Sequence, residues 1–231
     1  MRDDLSVIYY TSNKENSVLE DNIKKDLLSK IDGLPLISVS QKPIGFGKNI
    51  CVGEVGVSAQ NSYRQFQVGA IEAKTKYVCP AESDMLYPKD FFDFIPNNED
   101  TAYGAFPLYV LFAKRKCARV FASKRNTSEA LMIISRDLLI KRMDQVLKDV
   151  GMWGDLDVNE NTFPYFFGRS IKREIFYTSI PTITIKTDNQ MHRRTPHDRT
   201  KYTRELPYWG TATELLGRLF ENKEDVSKKT A

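Results

Sequence analysis

The chain has 231 residues, of which 41% are hydrophobic and 28% are charged, and its net charge at pH 7 is +4. These values are typical of a folded globular protein and exclude a disordered chain. The sequence has no apolar run of transmembrane length and no cleavable signal segment, which predicts a cytoplasmic location. Three cysteines without CxxC spacing argue against a disulfide framework and against a zinc site.

The charge is unevenly distributed. Residues 113–125 contain six basic residues and no acid, and residues 192–204 contain five Lys or Arg and one Asp. Residues 82–100 have the opposite bias, with six acids and one Lys. One such run is usually a solvated face of a folded protein. Two basic runs in one chain weakly favour a polyanionic partner, which is a diphosphate, a phosphorylated ligand or a nucleic acid.

The first predicted elements alternate between strand and helix. An apolar run at 5–10 predicts a strand, and a capping box of Ser17 and Glu20 predicts a helix that ends at Gly33. The run at 35–40 predicts a second strand.

A polar, glycine-rich passage at 41–61 follows, and its length suggests a functional loop. A capping box of Ser62 and Gln65 predicts the next helix, and 77–81 predicts a third strand. This β-α-β-α-β order predicts right-handed crossovers and a parallel sheet with helices on its faces.

The second half is less regular. It contains predicted strands at 105–113, 118–123 and 130–135, an amphipathic helix at 137–150, a loop at 151–164, a strand region at 175–187 and a capped helix at 211–223. The prediction is one α/β domain over 1–231, with a sheet that is parallel at its N-terminal end and mixed towards the C-terminus.

Two acids, Glu82 and Asp84, follow the third predicted strand. Residues i and i+2 of an extended segment point to the same side, so the two carboxylates can converge. Ligands of open parallel sheets bind at the carboxyl ends of the strands, and paired carboxylates there suit Mg²⁺ or Mn²⁺. The alternative is a pair of surface acids that cap the following turn. An E-x-D string carries little weight except through this position.

Another candidate for phosphate binding, GFGKN at 45–49, fails as a phosphate loop. Position 42 is Lys rather than Gly, and Asn49 replaces the Ser or Thr that would hold magnesium. We expect a flexible loop over the ligand here instead.

The arrangement resembles the GT-A-type nucleotide-sugar glycosyltransferases. The resemblance is carried by LSVIYYTSN at 5–13, by the helix, strand and acid motif at 61–88, and by LMIISRDLL at 131–139. It implies a three-layer α/β/α GT-A-like (Rossmann-like) domain with a mixed, mostly parallel central sheet. Residues 1–100 would bind the nucleotide sugar, and 101–231, with its basic C-terminal segment, would bind the acceptor.

The resemblance also assigns the metal. The family motif is usually D-x-D and is E-x-D here, which implies Asp84 as the metal ligand and Glu82 as its support towards metal or ribose. A late histidine often completes the metal shell, and His192 is preferred over His197 because it lies nearer the predicted strand. Arg193, Arg194 or Lys201 would then neutralise the departing diphosphate. A basic segment that becomes ordered only with ligand is a compatible alternative.

Further residues are implied to contact the donor. Thr11, Ser12 and Asn13 would edge the nucleotide. Arg64 and Gln65, at the start of the predicted second helix, match positions that usually reach the nucleotide or sugar. A charge on the surface of the helix is the equally weighted alternative for Arg64.

An inverting transferase also needs a base for the acceptor hydroxyl. The loop at 153–160 offers Asp155, Asp157 and Glu160, with Asp155 preferred, and polar-loop acids without such a role are the alternative. A retaining enzyme would not need this base.

The predicted function is a metal-dependent glycosyltransferase that uses Mn²⁺ or Mg²⁺ and a nucleoside-diphosphate sugar, with a UDP-sugar favoured. Its hydroxyl acceptor would be a glycan or, because of the basic runs, a hydroxymethylated base in DNA. One alternative is a nucleotidyltransferase acting on sugar phosphates, although TSNKENS at 11–17 lacks the glycines that normally follow the first strand of that class. The other is a non-catalytic nucleotide-binding module.

Overall fold

The computed structural model of the chain describes residues 3–113, 120–124, 126–155, 171–187 and 199–221. The strands are β1 Leu5–Thr11, β2 Leu36–Ser40, β3 Lys48–Cys51, β4 Tyr77–Glu82, β5 Met85–Leu86, β6 Thr101–Phe112, β7 Phe121–Lys124, β8 Met132–Ser135, β9 Lys172–Lys186, β10 Arg199–Thr203, β11 Glu205–Leu206 and β12 Gly210–Thr211. The helices are α1 Ser17–Ile31, α2 Ala59–Glu72, α3 Lys89–Asp93, α4 Arg136–Val146 and α5 Ala212–Phe220, with a 3₁₀ turn at Glu129–Leu131.

Within the described residues, ten strands form one sheet, and β11 and β12 pair separately. Its main path runs in the order β10-β7-β6-β8-β4-β1-β2-β3, and β9 lies along the other side of β6 and pairs with β5. Strands β4, β1, β2 and β3 run parallel to one another. Strand β8 is antiparallel to β4 and β6, and β9 is parallel to β6. A sheet that is parallel at its N-terminal end and mixed towards the C-terminus is therefore confirmed.

Helices cover both faces of this sheet, which confirms the three-layer α/β/α prediction. In β1, alternate side chains point to opposite faces. Leu5, Val7 and Tyr9 pack with Leu27 of α1, whereas Ile8 packs in the cluster that contains α2 and α4. Helix α5 packs beside α1, where the Asn22 side chain donates to the Leu219 carbonyl at 3.0 Å. In the described residues, no helix has the length and apolar character needed to cross a bilayer.

The starts of the first two long helices differ from the predicted capping boxes. The N-cap of α1 is Asn16, whose side chain accepts the Leu19 N–H, and Glu20 instead accepts the Tyr9 hydroxyl at 2.7 Å in the buried interior. The N-cap of α2 is Ser58, four residues before the predicted Ser62. Because Ser58 accepts a hydrogen bond from a free N–H group of the first turn, the helix begins there, and Ser62 and Gln65 lie within it.

Several elements were not predicted or differ in extent. The glycine-rich passage contains the edge strand β3, and α3, β5 and β10 were also missed. The predicted strand at 130–135 begins with the 3₁₀ turn, and the predicted helix at 137–150 ends at Val146. Strands β6 and β9 begin earlier than predicted and pair over most of their length.

Candidate functional site

A cleft of about 820 Å³ opens at the carboxyl ends of the parallel strands. One half is lined by the ends of β1 and β2 and the start of α2, through Thr11, Ser12, Gln41, Ser58, Asn61 and Gln65. The other half is lined by residues around β6, β9 and the 3₁₀ turn, including Gly104, Thr127, Glu129, Arg173 and Ile175. Glu82, Asp84 and Lys186 also line this cleft.

Glu82 is the last residue of β4, opposite Tyr10 of β1 in the parallel register. The Tyr10 hydroxyl donates to Glu82 Oε1 at 2.7 Å, and the Glu82 backbone N–H donates to the Tyr87 hydroxyl at 3.2 Å. Burial and the neighbouring charge of Asp84 raise the pKa of Glu82 to about 7. The carboxyl group is therefore oriented, and its ionised form is disfavoured without a nearby cation.

Asp84 is buried and lies beside a fixed cation from a distant strand. Lys186 Nζ, at the end of β9, is 3.4 Å from Asp84 Oδ2. The Ile185 N–H donates to the Asp84 carbonyl at 2.7 Å and fixes this end of β9 against the acid segment. The sequence predicted the two acids, but nothing in its local pattern marked Lys186.

The acid pair could supply only part of the ligand shell of a divalent cation. No group of three or more His, Cys, Asp or Glu in the described ranges could hold a metal ion. Mg²⁺ and Mn²⁺ commonly take one or two carboxylates and complete their shell with water and substrate phosphates. Glu82 and Asp84 are two such carboxylates, and burial together with the Asp84 charge raises the pKa of Glu82. His192, Arg193 and Arg194 lie outside the described residues.

The end of β1 contributes to the cleft in two ways. Thr11 and Ser12, which were predicted to contact the nucleotide, line the cleft. Thr11 Oγ1 accepts the Asn13 N–H at 2.9 Å. Asn13 is not among the lining residues. Its side-chain oxygen accepts the N–H groups of Gln41 and Lys42 at 2.9 and 2.8 Å, which joins the ends of β1 and β2.

The passage after β2 is attached to the cleft wall, and the end of the predicted flexible loop at 45–49 belongs to strand β3. The Gln41 amide exchanges two hydrogen bonds with the backbone of Gly56, at 2.7 and 3.1 Å. Asn61 Nδ2 donates to the Val55 carbonyl at 2.7 Å. Gln41 is a cleft residue that sequence analysis did not assign, because its partner is 15 residues away.

The two predicted residues of α2 point in different directions. Gln65 lines the cleft and donates to the carbonyls of Thr11 and Val39, both at 2.9 Å, so it joins β1 to β2. Arg64 is buried on the α4 side and donates to the Leu147 carbonyl at 2.8 Å. Adjacent helical residues point about 100° apart, which allows Gln65 to face the cleft while Arg64 faces α4. Neither predicted alternative for Arg64 describes its position, because it is not a surface charge and does not line the cleft.

The predicted acids of the 153–160 loop are only partly described. Asp155 is exposed and does not line the cleft, and Asp157 and Glu160 lie outside the described residues. The loop before Asp155 packs on the start of α2, where Gly154 accepts a hydrogen bond from Ser58 at 2.6 Å.

Another acid that lines the cleft, Glu129, was missed. The Tyr63 hydroxyl donates to Glu129 Oε2, and Arg173 Nη2 lies 3.0 Å from Oε1. Burial and the Glu129 charge raise the pKa of Tyr63, so its hydroxyl stays protonated as a donor. Glu129 lies in a turn-like segment, and its partners are 66 and 44 residues away, which left no local signal.

No protein-family model and no curated protein matches the sequence. Solved structures do match. A glycosyltransferase involved in glycosylation of the major capsid of PBCV-1 is 11% identical, with 75% of this chain and 81% of that chain covered and a TM-score of 0.45. TarS from S. aureus in complex with UDP-GlcNAc is 12% identical, with 80% and 59% covered and a TM-score of 0.43.

The bifunctional IspDF from Campylobacter jejuni is 13% identical, with a TM-score of 0.41. It covers 81% of this chain, which spans about half (51%) of that protein. The first of these three structural neighbours is a glycosyltransferase. The likeness is one of fold.

Proposed function

We propose that this protein transfers a sugar from a nucleoside-diphosphate sugar, with uridine diphosphate as the nucleotide, to a hydroxyl acceptor. The observation that supports the proposal most directly is the position of Glu82 and Asp84. Both carboxyl groups line a cleft at the carboxyl ends of β1, β2 and β4, where ligands of open α/β sheets bind.

In this proposal Glu82 and Asp84 hold the Mn²⁺ or Mg²⁺ that accompanies the donor diphosphate. The bound cation would supply Lewis-acid stabilisation of the leaving phosphate. Tyr10 orients the Glu82 carboxylate by donating a hydrogen bond to it, and Tyr87 holds the Glu82 backbone by accepting its N–H. Such pre-oriented groups avoid a reorganisation cost during the reaction.

Lys186 supplies a second positive charge at the same position. It is paired with Asp84 in the ligand-free protein. With Asp84 engaged by a dication, the Lys186 ammonium group would be available to contact the donor's phosphate oxygens. Positive charge there stabilises the departing nucleoside diphosphate.

The cleft wall on the nucleotide side is pre-formed. Gln65 holds the ends of β1 and β2 together, and Gln41 holds the following passage at Gly56. A fixed wall limits water access to a donor that water would otherwise hydrolyse. The acceptor-side base remains a separate proposal, with Asp155, Asp157 and Glu160 as its candidates.

The test is a panel of UDP-, GDP- and ADP-sugars incubated with the protein and Mn²⁺. Release of the nucleoside diphosphate is expected. Consumption of pyrophosphate would indicate nucleotidyl transfer instead, and tight nucleotide binding without turnover would indicate a binding module.

Variants connect the result to the acid pair. Asp84→Asn and Glu82→Gln are expected to abolish release, and Asp84→Asn is also expected to weaken Mn²⁺ binding measured by electron paramagnetic resonance. Asp149→Asn is the matched control, because its carboxylate is 84% exposed in the described structure. Unchanged Mn²⁺ binding and turnover in Asp84→Asn would contradict the proposal.

A further inference from the structure

We infer that the exposed face formed by β6 and the start of β9 is an acceptor subsite for a neutral carbohydrate ring. This inference rests on the proposed function and adds the chemical class of the acceptor. The face, called here the β6–β9 strip, consists of Phe106, Arg173, Ile175 and Tyr177 around Gly104.

These residues share one face because of strand register. Arg173, Ile175 and Tyr177 alternate along β9, and Ile175 and Tyr177 lie opposite Gly104 and Phe106 of β6. The side chains of Ile175 and Tyr177 are 55% and 76% exposed, whereas Phe176 between them is buried in the core. The β6–β9 strip therefore exposes apolar and aromatic side chains, while the opposite face of β9 packs in the core.

The strip is continuous with the cleft that contains the acid pair. Gly104, Arg173 and Ile175 line that cleft. A Cβ at Gly104 would lie 2.7 Å from Thr127 Cγ2, so the glycine allows Thr127 to lie directly on the strands. Thr127 Oγ1 donates to the Ala105 carbonyl at 2.6 Å and is held there. The result is an apolar floor beside a polar wall.

The composition of floor and wall matches a pyranose. The ring has C–H groups on its faces, which pack against aromatic and aliphatic side chains, and hydroxyls around its rim, which need directed polar partners. Tyr177 lies edge to face with Phe106, at 5.9 Å and 83° between the rings. Glu129 and Arg173, 3.0 Å apart, place an acceptor and donors for neighbouring hydroxyls at the inner end.

Charge along the strip favours a neutral acceptor over a nucleic acid. The cation of the strip, Arg173, is paired with the Glu129 carboxylate at 3.0 Å. Binding to a phosphate backbone depends on Lys and Arg that neutralise phosphates. A surface on which the cation is paired with a carboxylate does not supply this excess of positive charge. Its hydrogen-bond donors and acceptors can still bind hydroxyl groups.

The experiment measures binding of methyl glycosides and neutral disaccharides by saturation-transfer NMR and titration calorimetry, with UDP and Mn²⁺ present. Tyr177→Ala is expected to weaken binding about three- to tenfold, and Tyr177→Phe is expected to retain it, because the ring is what packs on the sugar. Tyr202→Ala is the matched control, a tyrosine that is 63% exposed on β10. Donor hydrolysis without acceptor should be unchanged in all three variants.

Other outcomes would overturn the inference. The first is that the wild type binds no saccharide. The second is that Tyr177→Ala and Tyr202→Ala bind saccharides equally well. The third is that Tyr177→Ala loses binding to a hydroxymethylated DNA duplex and keeps binding to saccharides. A sedimentation result in which Tyr177→Ala abolishes only self-association would assign the strip to a second copy of the chain. If the wild type released nucleoside diphosphate but these binding results were negative, the acceptor inference alone would fail. Absence of release would contradict the proposed function separately.

Discussion

Lys186 on β9 lies 3.4 Å from Asp84, although the two residues are separated by 102 positions in the chain. Their side chains are 28% and 11% exposed, so the ion pair is largely removed from water. The pair joins the acid segment after β4 to the last long strand of the sheet. It also places a fixed positive charge where the proposed reaction requires one.

Replacing Lys186 with Met should destabilise the metal-free protein at pH 8 by about 1–3 kcal/mol, because a buried carboxylate loses its partner. The double variant Asp84→Asn/Lys186→Met should recover most of this loss. Urea unfolding measures both. Lys48→Met is the control, because Lys48 is 65% exposed in its pair with Glu72. Since the ammonium group competes with a dication for Asp84, Lys186→Met should also bind Mn²⁺ more tightly, and weaker binding would contradict the competition.

Glu82 should make the metal-free protein less stable as pH rises. Its pKa is raised from 4.5 to about 7, so the folded state holds this proton more tightly than the unfolded state. The stabilisation is present below about pH 4.5 and is lost as pH rises through about 7, by an amount on the order of 3 kcal/mol.

The measurement is the free energy of unfolding in EDTA between pH 5 and 8. Glu82→Gln should gain stability relative to wild type as pH rises across this range. Tyr10→Phe should raise the pKa of Glu82 further, because it removes a hydrogen bond that favours the charged carboxylate. A constant difference between Glu82→Gln and wild type would show that Glu82 titrates normally.

Arg64 should be important for packing and not for nucleotide binding. Arg64→Met removes the donor to the Leu147 carbonyl and should cost about 1–3 kcal/mol of stability. The affinity of the folded protein for UDP, measured by calorimetry, should stay within about twofold of the wild-type value. A change of this size corresponds to only a small difference in binding free energy. Lys148→Met, a 70% exposed position, is the control. A loss of UDP affinity at unchanged stability would restore the nucleotide-binding role predicted for Arg64.

Two helical glycines should respond to alanine in opposite directions. A Cβ at Gly69 of α2 would lie 2.2 Å from Ile8 Cγ2, inside the core. The overpacking cost of about 1–3 kcal/mol should exceed the helix-propensity gain of about 1 kcal/mol. At Gly217 of α5 the nearest atom is Glu221 Oε1 at 3.6 Å, so Gly217→Ala should be stabilising. Thermal unfolding compares the two, and stabilisation by Gly69→Ala would show that α2 can move away from β1.

Much of the fold could be predicted because local patterns in this chain report local structure. The apolar run of β1 and the capping residues of α5 identify those elements within a few positions of sequence. The predicted capped helix at 211–223 is α5, which begins after a capping box of Thr211 and Glu214 with both of its hydrogen bonds formed. The edge strand β3 was missed because its residues are exposed or half-buried, so they carry no apolar run.

The sequence by itself determined the α/β class, the β-α-β order and the placement of Glu82 and Asp84 after a buried strand, because these depend on periodicity and on neighbours in the chain. Only the tertiary structure decided which side chains from distant parts of the chain contact one another. Lys186, Glu129 and Arg64 acquire their partners from strands and helices far along the chain. Such contacts depend on how the sheet is ordered and on which face of a helix turns inward, and these properties are set by packing across the whole fold.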